Sequence, residues 1–407
     1  MEVLYPRCAG LDVHKETVVA CLRLAEGAEV TRQVETFGTT TRELLRLLEW
    51  LQAAHVSHAA LEATGVYWKP VWHILEDACT LVLANARQIQ HVPGRKSDVT
   101  DAEWIADLLA HGLIRSSYVP PAPVQELRDL TRTRKQLVRE RTQHIQRLQK
   151  VLEDANVKLD NVVTDLLGQS GRAMLEAMIH GQSDPRRLAL LAHPRLKASR
   201  EELVEALTGR LTDHHRFLLH LHLRQIDALT ATVAALELRL EEALAPFRAA
   251  FERLQTIPGV SRTVAAVLLA EAGADMSVFP TAGHLLSWAG LSPGQHESAG
   301  KRKNTRTRPQ RWLKTTLIQA AWAAIKVKDS YLRAQYLRLK ARRGAKKAIV
   351  AVAASMLTAA YYMLSRGCDY QERGAAYFHH HDRERSAFQL VQRLRRLGYA
   401  VQLQPAA

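Results

Sequence analysis

Only four cysteines occur in 407 residues, Cys8, Cys21, Cys79 and Cys368, and none forms a CxxC pair or has a histidine at ligand spacing. Neither a zinc site nor a disulfide framework is supported, and the thiols read as reduced packing residues. No apolar run reaches the roughly 18 residues that a membrane-spanning helix needs. The opening MEVLYPRCAG lacks the basic-then-apolar pattern of a signal peptide, so a soluble, cytoplasmic protein without a membrane partner is expected. There is no GxxxxGKT and no GxGxxG, so nucleotide hydrolysis is not indicated as the energy source. Acids are in deficit: 41 Asp and Glu face 56 Lys and Arg, a net charge of +15. Such an excess of positive charge points to a polyanionic partner.

Four of those acids form a pattern. Asp12 sits in RCAGLDVHKETVVACLRL, which reads as a buried strand, a polar turn at His14 to Glu16 and a returning strand. Glu62 closes a short apolar run in HAALEATG, and Asp98 and Asp101 lie in the helical pattern KSDVTDAEWIADLL at i, i+3 spacing, which places both on one face. Taken singly, each has a plain structural account as a turn, strand-end or helix-start residue. Their order is more telling. From Arg7 to His111 the chain reads strand, strand, strand (near Glu29 to Phe37), helix (Thr41 to Ala53), strand (His58 to Glu62), helix (Trp68 to Ala78), strand (Thr80 to Ala84) and helix (Val99 to His111). That is the ribonuclease-H-like α/β order, with acids on the first strand, the fourth strand and the last helix. Clustered carboxylates repel unless a cation lies between them, and a hard divalent ion, Mg²⁺ with Mn²⁺ as a substitute, suits them.

The length predicts several domains. Expected boundaries are 1–118 for the carboxylate-bearing domain, 119–250 for a helical region opened by the Pro-rich VPPAPV, 251–370 for a mostly α domain and 371–407 for a polar tail with a short strand at Tyr399 to Leu403. In the helical region, Leu127, Leu130, Leu137, Val138, Ile145, Leu148 and Leu152 keep helical spacing, which predicts a long helix or coiled-coil arm. From Arg132 to Lys150 it carries seven basic residues and one acid, which is either a solvated face or a nucleic-acid contact. The stretch DHHRFLLHLHLRQIDALTATVAALELRLEEAL reads as its partner, within the chain or from another copy. His220 and His222 fall on different faces, so packing rather than metal binding is expected of them. The tract His379 to His381, beside Asp382 and Arg383, reads as a solvated stretch. LQTIPGVSRTVAAVLLAEAG reads as two helices about a turn at Pro258 and Gly259, similar to a helix-hairpin-helix that offers backbone N–H groups to a phosphate.

A second constellation begins at Phe279. After a helix ending at Gly290 and a loop with Pro293 and Gly294, Ser298 precedes Ala299 and Gly300, and seven Lys or Arg with no acid then run from Lys301 to Lys314. A small hydroxyl residue beside concentrated positive charge suits either a nucleophile attacking a phosphodiester or a simple phosphate contact. Candidate backbone contacts are Arg95, Lys96, Arg139, Arg141, Lys301, Arg302, Lys303, Arg306, Arg308 and Arg311.

GLDVHK, LEATGVYW and KSDVTDA, with the later IPGV, FPTAGHLLSWAGLSP and ESAGKRK, together resemble insertion-sequence transposases that join an N-terminal RuvC-like DEDD domain to a C-terminal serine-bearing domain. Bridge-RNA-guided recombinases are the best understood of these. The resemblance implies that Asp12, Glu62, Asp98 and Asp101 bind Mg²⁺. It also implies that Ser298 is the nucleophile, with Ser292 and Ser287 as the alternatives. The partners implied are the element ends and target DNA, a structured guide RNA and further copies of the chain, as a dimer or tetramer. Two other readings stay open: a junction-resolvase-like nuclease without a covalent intermediate, and a non-catalytic nucleic-acid-binding protein whose acids are structural.

Overall fold

A computed structural model describes residues 3–27, 29–62, 65–84, 101–292, 296–298, 301–303, 311–378 and 383–402; of 296–298, 301–303, 311, 383–386 and 389 it describes the backbone alone. The chain divides into two compact units, Met1–Val119 and Pro120–Ala407.

The first unit is built on a five-stranded sheet: β1 (Arg7–Val13), β2 (Thr17–Glu26), β3 (Glu29–Gly38), β4 (His58–Glu62) and β5 (Thr80–Ala84), in the order β3-β2-β1-β4-β5. The first three strands form an antiparallel meander, whereas β4 and β5 run parallel to β1. This mixed α/β arrangement fits a RuvC-like domain. β1 is central and nearly all of it is buried, hence its unbroken apolar reading, whereas the edge strand β3 exposes Glu29, Arg32 and Gln33. Alternate residues of β1 and β4 serve two layers. Ala9, Leu11, Val13, Ala59 and Leu61 pack on one side against Leu44, Leu47 and Leu51 of α1 (Thr41–Ala53) and Val71 and Leu75 of α2 (Trp68–Leu75). Cys8, Ala60 and Ala84 face the other side, under α3 (Asp101–Ala110).

That second layer is unusually close because both surfaces are made of small residues. Ala102, Ala106 and Ala110 recur on α3 at one-turn spacing above Cys8, Gly10 and Ala60. A Cβ on Gly10 would stand 2.1 Å from the Ala102 carbonyl oxygen and 2.4 Å from the Ala106 nitrogen. Both are helix backbone atoms that cannot move aside alone. Gly10→Val is therefore expected to lower stability by about 3 kcal/mol or more, the upper range for overpacking, measured as a reduced urea midpoint. An unchanged midpoint would show that the helix does not rest on this strand. Asp107 of α3 is also tied to the sheet, accepting from Arg23 Nε of β2 at 2.8 Å and Arg32 Nη2 of β3 at 3.0 Å.

The second unit is mostly helical. α4 (Ala122–Asp154) and α9 (Asp213–Leu244) pack as an antiparallel pair, cross-linked by Arg134 to Glu237, His144 against His222 and Asp154 to His215. The two seams meet within one chain. Between them lie α5 (Leu159–Val162), α6 (Gln169–Ile179), α7 (Pro185–Ala189) and α8 (Arg200–Leu207), whose Leu159, Met174, Leu175, Leu188 and Leu203 cluster around Leu148, Leu152, Leu219 and Leu223 at the tip of the pair. His222 is half-buried and His220 exposed, as their opposite faces require.

At the other end, α10 (Arg248–Gln255) and α11 (Arg262–Ala272) join through Pro258 and Gly259, and α12 (Ala282–Trp288), α13 (Arg311–Ala324), α14 (Tyr331–Arg343) and α15 (Ala345–Arg366) complete the unit. α11 is anchored to α4 by Arg132, whose guanidinium forks onto the buried carboxylate of Glu271 at 2.8 Å to each oxygen. By length and composition α15 could cross a membrane. Its stripe of Ile349, Val352, Ala353, Met356 and Leu357 is buried in the protein core. Two expectations need correction. The tail is not merely a polar stretch, since Arg383–Arg396 forms a helix, α16, and 399–402 carries no strand. The predicted helix over Trp68 to Ala78 stops at Leu75, where the chain turns into β5.

Candidate active site

The register of the parallel pair β1 and β4 brings two of the four acids to one edge. Leu11 is aligned with Leu61, so the next residues, Asp12 and Glu62, stand on adjacent strands about 4.8 Å apart across the sheet. Side chains alternate along a strand. Gly10 and Ala60 face α3, so Asp12 and Glu62, two residues on, face the same layer. α3 runs antiparallel to β1: Ala110 accepts from Leu4 and Tyr5 ahead of the strand, Ala106 lies at Cys8, and Ala102 lies at Gly10. Its first residue, Asp101, therefore lies toward the strand end that carries Asp12 and Glu62, with its Oδ1 atom buried. The small-residue packing of α3 sets this axial position.

Asp12 is 16% exposed, and its Oδ2 atom is 3.1 Å from His14 Nε2. Asp98, Arg95 and Lys96 lie outside the described residues. Among the described residues no three His, Cys, Asp or Glu side chains are gathered to hold an ion by themselves. The chemistry of the donor set fits a hard divalent cation, since carboxylate oxygens dominate and the nearby thiols are unavailable. Burial pushes the thiol of Cys8 up to about 11 and that of Cys21 up to about 12, which keeps both protonated.

Ser298 belongs to the second unit and, contrary to the expectation of a loop, ends a strand. β6 (His296–Ser298) pairs antiparallel with β7 (Lys301–Lys303), and Ser298 is aligned with Lys301. Ahead of this hairpin, α12 is capped by Thr281, and Lys314 of α13 donates to the Gly290 carbonyl oxygen at 2.9 Å, which ties the end of that segment to the helix behind it. Ser287 is exposed on α12 and Ser292 is half-buried. Arg306 and Arg308 lie outside the described residues, and Arg311 opens α13.

On the arm, Arg139 is exposed and lies over the ring of Trp312, while Arg141 is half-buried. The same ring carries Arg132 and Lys135, at 5.4 and 5.3 Å from its centre. Sequence reasoning missed Trp312 and Lys135 as a pair. The available signal was an aromatic residue directly after the basic run, in RPQRWLK.

Residues 9–157 match a transposase family of the DEDD type, DEDD_Tnp_IS110, and residues 251–337 match the transposase IS116/IS110/IS902 family. An uncharacterised 43.6 kDa protein of insertion element IS110 from Streptomyces coelicolor is 27% identical over 312 residues, covering 72% of this chain and 76% of that protein.

Proposed function

On the premise that this chain is a DNA transposase of an insertion element, we propose that it cuts and rejoins DNA strands with a divalent-metal site at Asp12, Glu62, Asp98 and Asp101 and a nucleophile at Ser298. The observation that supports this reading most is the register that sets Asp12 beside Glu62 beneath the helix opened by Asp101. These carboxylates would hold Mg²⁺ or Mn²⁺. When bound, such an ion polarises the scissile phosphate and offsets the charge that builds on it.

The protein's own residues do the rest. Ser298 Oγ forms a bond to phosphorus as the DNA P–O bond breaks, and the serine proton ends on the departing hydroxyl. The ester bond is conserved as a phosphoserine, so a second DNA hydroxyl can reverse the step without ATP. Lys301, Arg302, Lys303, Arg306, Arg308 and Arg311, concentrated after the serine, stabilise negative charge on the phosphorane and grip the backbone. The net charge of +15 exceeds what one hairpin would use and supports a structured guide RNA as a second polyanionic partner. The α4 and α9 arm is the element through which copies of the chain assemble as a dimer or tetramer.

Cleavage of element-end DNA should vanish on chelation with EDTA and return with Mg²⁺ or Mn²⁺, read on sequencing gels. Cleavage that persists in EDTA would remove the metal from the mechanism. A metal-dependent nuclease would pass this test too, and it differs in leaving no protein covalently joined to DNA.

A further inference from the structure

Inside the second unit, where the base of the arm meets α11 and α13, lies a cavity of about 500 Å³. Three features of its lining point to one kind of guest. The first is unbalanced positive charge. Of the cations on this part of α4, Arg132 is neutralised by Glu271 and Arg134 by Glu237. Lys135 and Arg139 make no salt bridge among the described residues, although Lys135 feels the more distant Glu271; Lys135 Nζ donates to Thr315 Oγ1 at 2.9 Å, and both cations lie over Trp312. Burial and the neighbouring Arg139 push the Lys135 ammonium below its usual pKa. Two like charges on one ring repel, and an anion between them relieves the repulsion.

The second feature is the start of α11, which opens into the same space through Ser261, Thr263 and Val264. Ser261 Oγ accepts from the Val264 N–H. The N–H groups of Arg262 and Thr263 belong to the first turn, which has no intrahelical acceptors and carries the positive end of the helix dipole. The third is the turn that aims this helix. Gly259 has φ +82°, and a Cβ there would be 2.4 Å from the Ala320 carbonyl oxygen of α13. The turn therefore seats directly on α13 and fixes the first turn of α11 at the cavity. Gln319 adds a neutral donor to the wall, with Thr316 and Ala323 also lining it.

We propose that this cavity receives a backbone phosphate of the nucleic-acid strand, held by Lys135, Arg139 and the first N–H groups of α11. Donors of this type suit a phosphodiester oxygen. The volume leaves room for the attached sugar. The site is distinct from the Lys301–Lys303 strand and rests on the reading that nucleic acid is the partner.

The test uses the full chain and fluorescence anisotropy with fluorescein-labelled (dT)20 and (rU)20 across a salt series. Lys135→Gln removes the charge. Ala323→Phe fills the mouth from an exposed helical position without changing any charge. Each is expected to weaken binding by about tenfold, as for one charged hydrogen-bonding contact. Each is also expected to lower the slope of log K against log salt by about 0.7, one single-strand phosphate contact. Circular dichroism melts establish that both variants are folded. An effect on one oligonucleotide alone supports the proposal and identifies the strand as DNA or RNA. Wild-type affinity and slope in folded Ala323→Phe would overturn it, even if Lys135→Gln weakens binding, because the cationic surface would then act without the cavity. If neither oligonucleotide binds the wild-type chain, nucleic-acid recognition fails and the cavity proposal fails with it.

Discussion

Asp12→Ala is expected to reduce DNA strand cleavage by about 10³-fold or more, the several kcal/mol of charge stabilisation that a correctly held metal ion supplies, while leaving the urea midpoint nearly unchanged. The asymmetry follows from the position of the residue. Asp12 is the penultimate residue of a buried strand but its carboxylate makes no strand hydrogen bond; its observed partner is His14, itself 58% exposed. Ion pairs of that kind contribute about 0–1 kcal/mol. Beside Glu62, and facing the layer opened by Asp101, the carboxylate adds repulsion when no cation is bound, so its removal offsets part of the lost contact. Glu62→Ala and Asp101→Ala should lower strand cleavage by a comparable factor. A large loss of stability in Asp12→Ala with proportionate loss of activity would make the acid structural. Full activity would remove it from the mechanism.

Ser298→Ala should eliminate recombination more completely, on the order of 10⁶-fold, as for removal of a covalent nucleophile. Binding of DNA and RNA should remain within about twofold of wild type, since a single neutral hydroxyl contributes little to polyanion binding governed by phosphate contacts. The hairpin explains why the hydroxyl is the part that matters. Pairing with Lys301 fixes the backbone of Ser298 opposite a basic strand, so the substitution leaves the register and the cations in place. Ser287→Ala and Ser292→Ala should keep recombination, because one serine lies on α12 and the other ahead of the hairpin. Recombination in a gel-based strand-exchange assay that survives in Ser298→Ala, or is lost in Ser292→Ala, would reassign the nucleophile.

Much of the carboxylate domain was legible because its strands are short apolar runs with clear stops. His14 to Glu16 ends the first run, and the acid of Glu62 ends the fourth. Periodicity could not show why α3 stops where it does along the sheet, since that depends on Gly10 meeting Ala102 and Ala106, over ninety residues away. The long helices announced themselves by their apolar seams. Whether the seams meet within one chain or between copies depends on pairs such as Arg134 with Glu237 and Asp154 with His215, which no local pattern encodes. The sequence around Ser298 reads as a loop because three-residue strands are too short for an alternation to register. In the tail, the high Arg content of RERSAFQLVQRLRR masked an amphipathic helix whose Val391 is buried. The cavity beside Trp312 was invisible for the same reason as the arm pairing: Lys135 and Thr315 are distant in sequence and adjacent in space.

The most direct measurement of the central claim is the site of covalent attachment. Full-length protein is incubated with a nicked element-end substrate and Mg²⁺, the protein–DNA adduct is trapped by denaturation, and the modified peptide is identified by mass spectrometry after nuclease and protease digestion. The account predicts a phosphodiester remnant on Ser298 that is absent with EDTA and absent in Asp12→Ala. A remnant on any other residue, or an adduct that forms equally well without the metal or without Asp12, would contradict it.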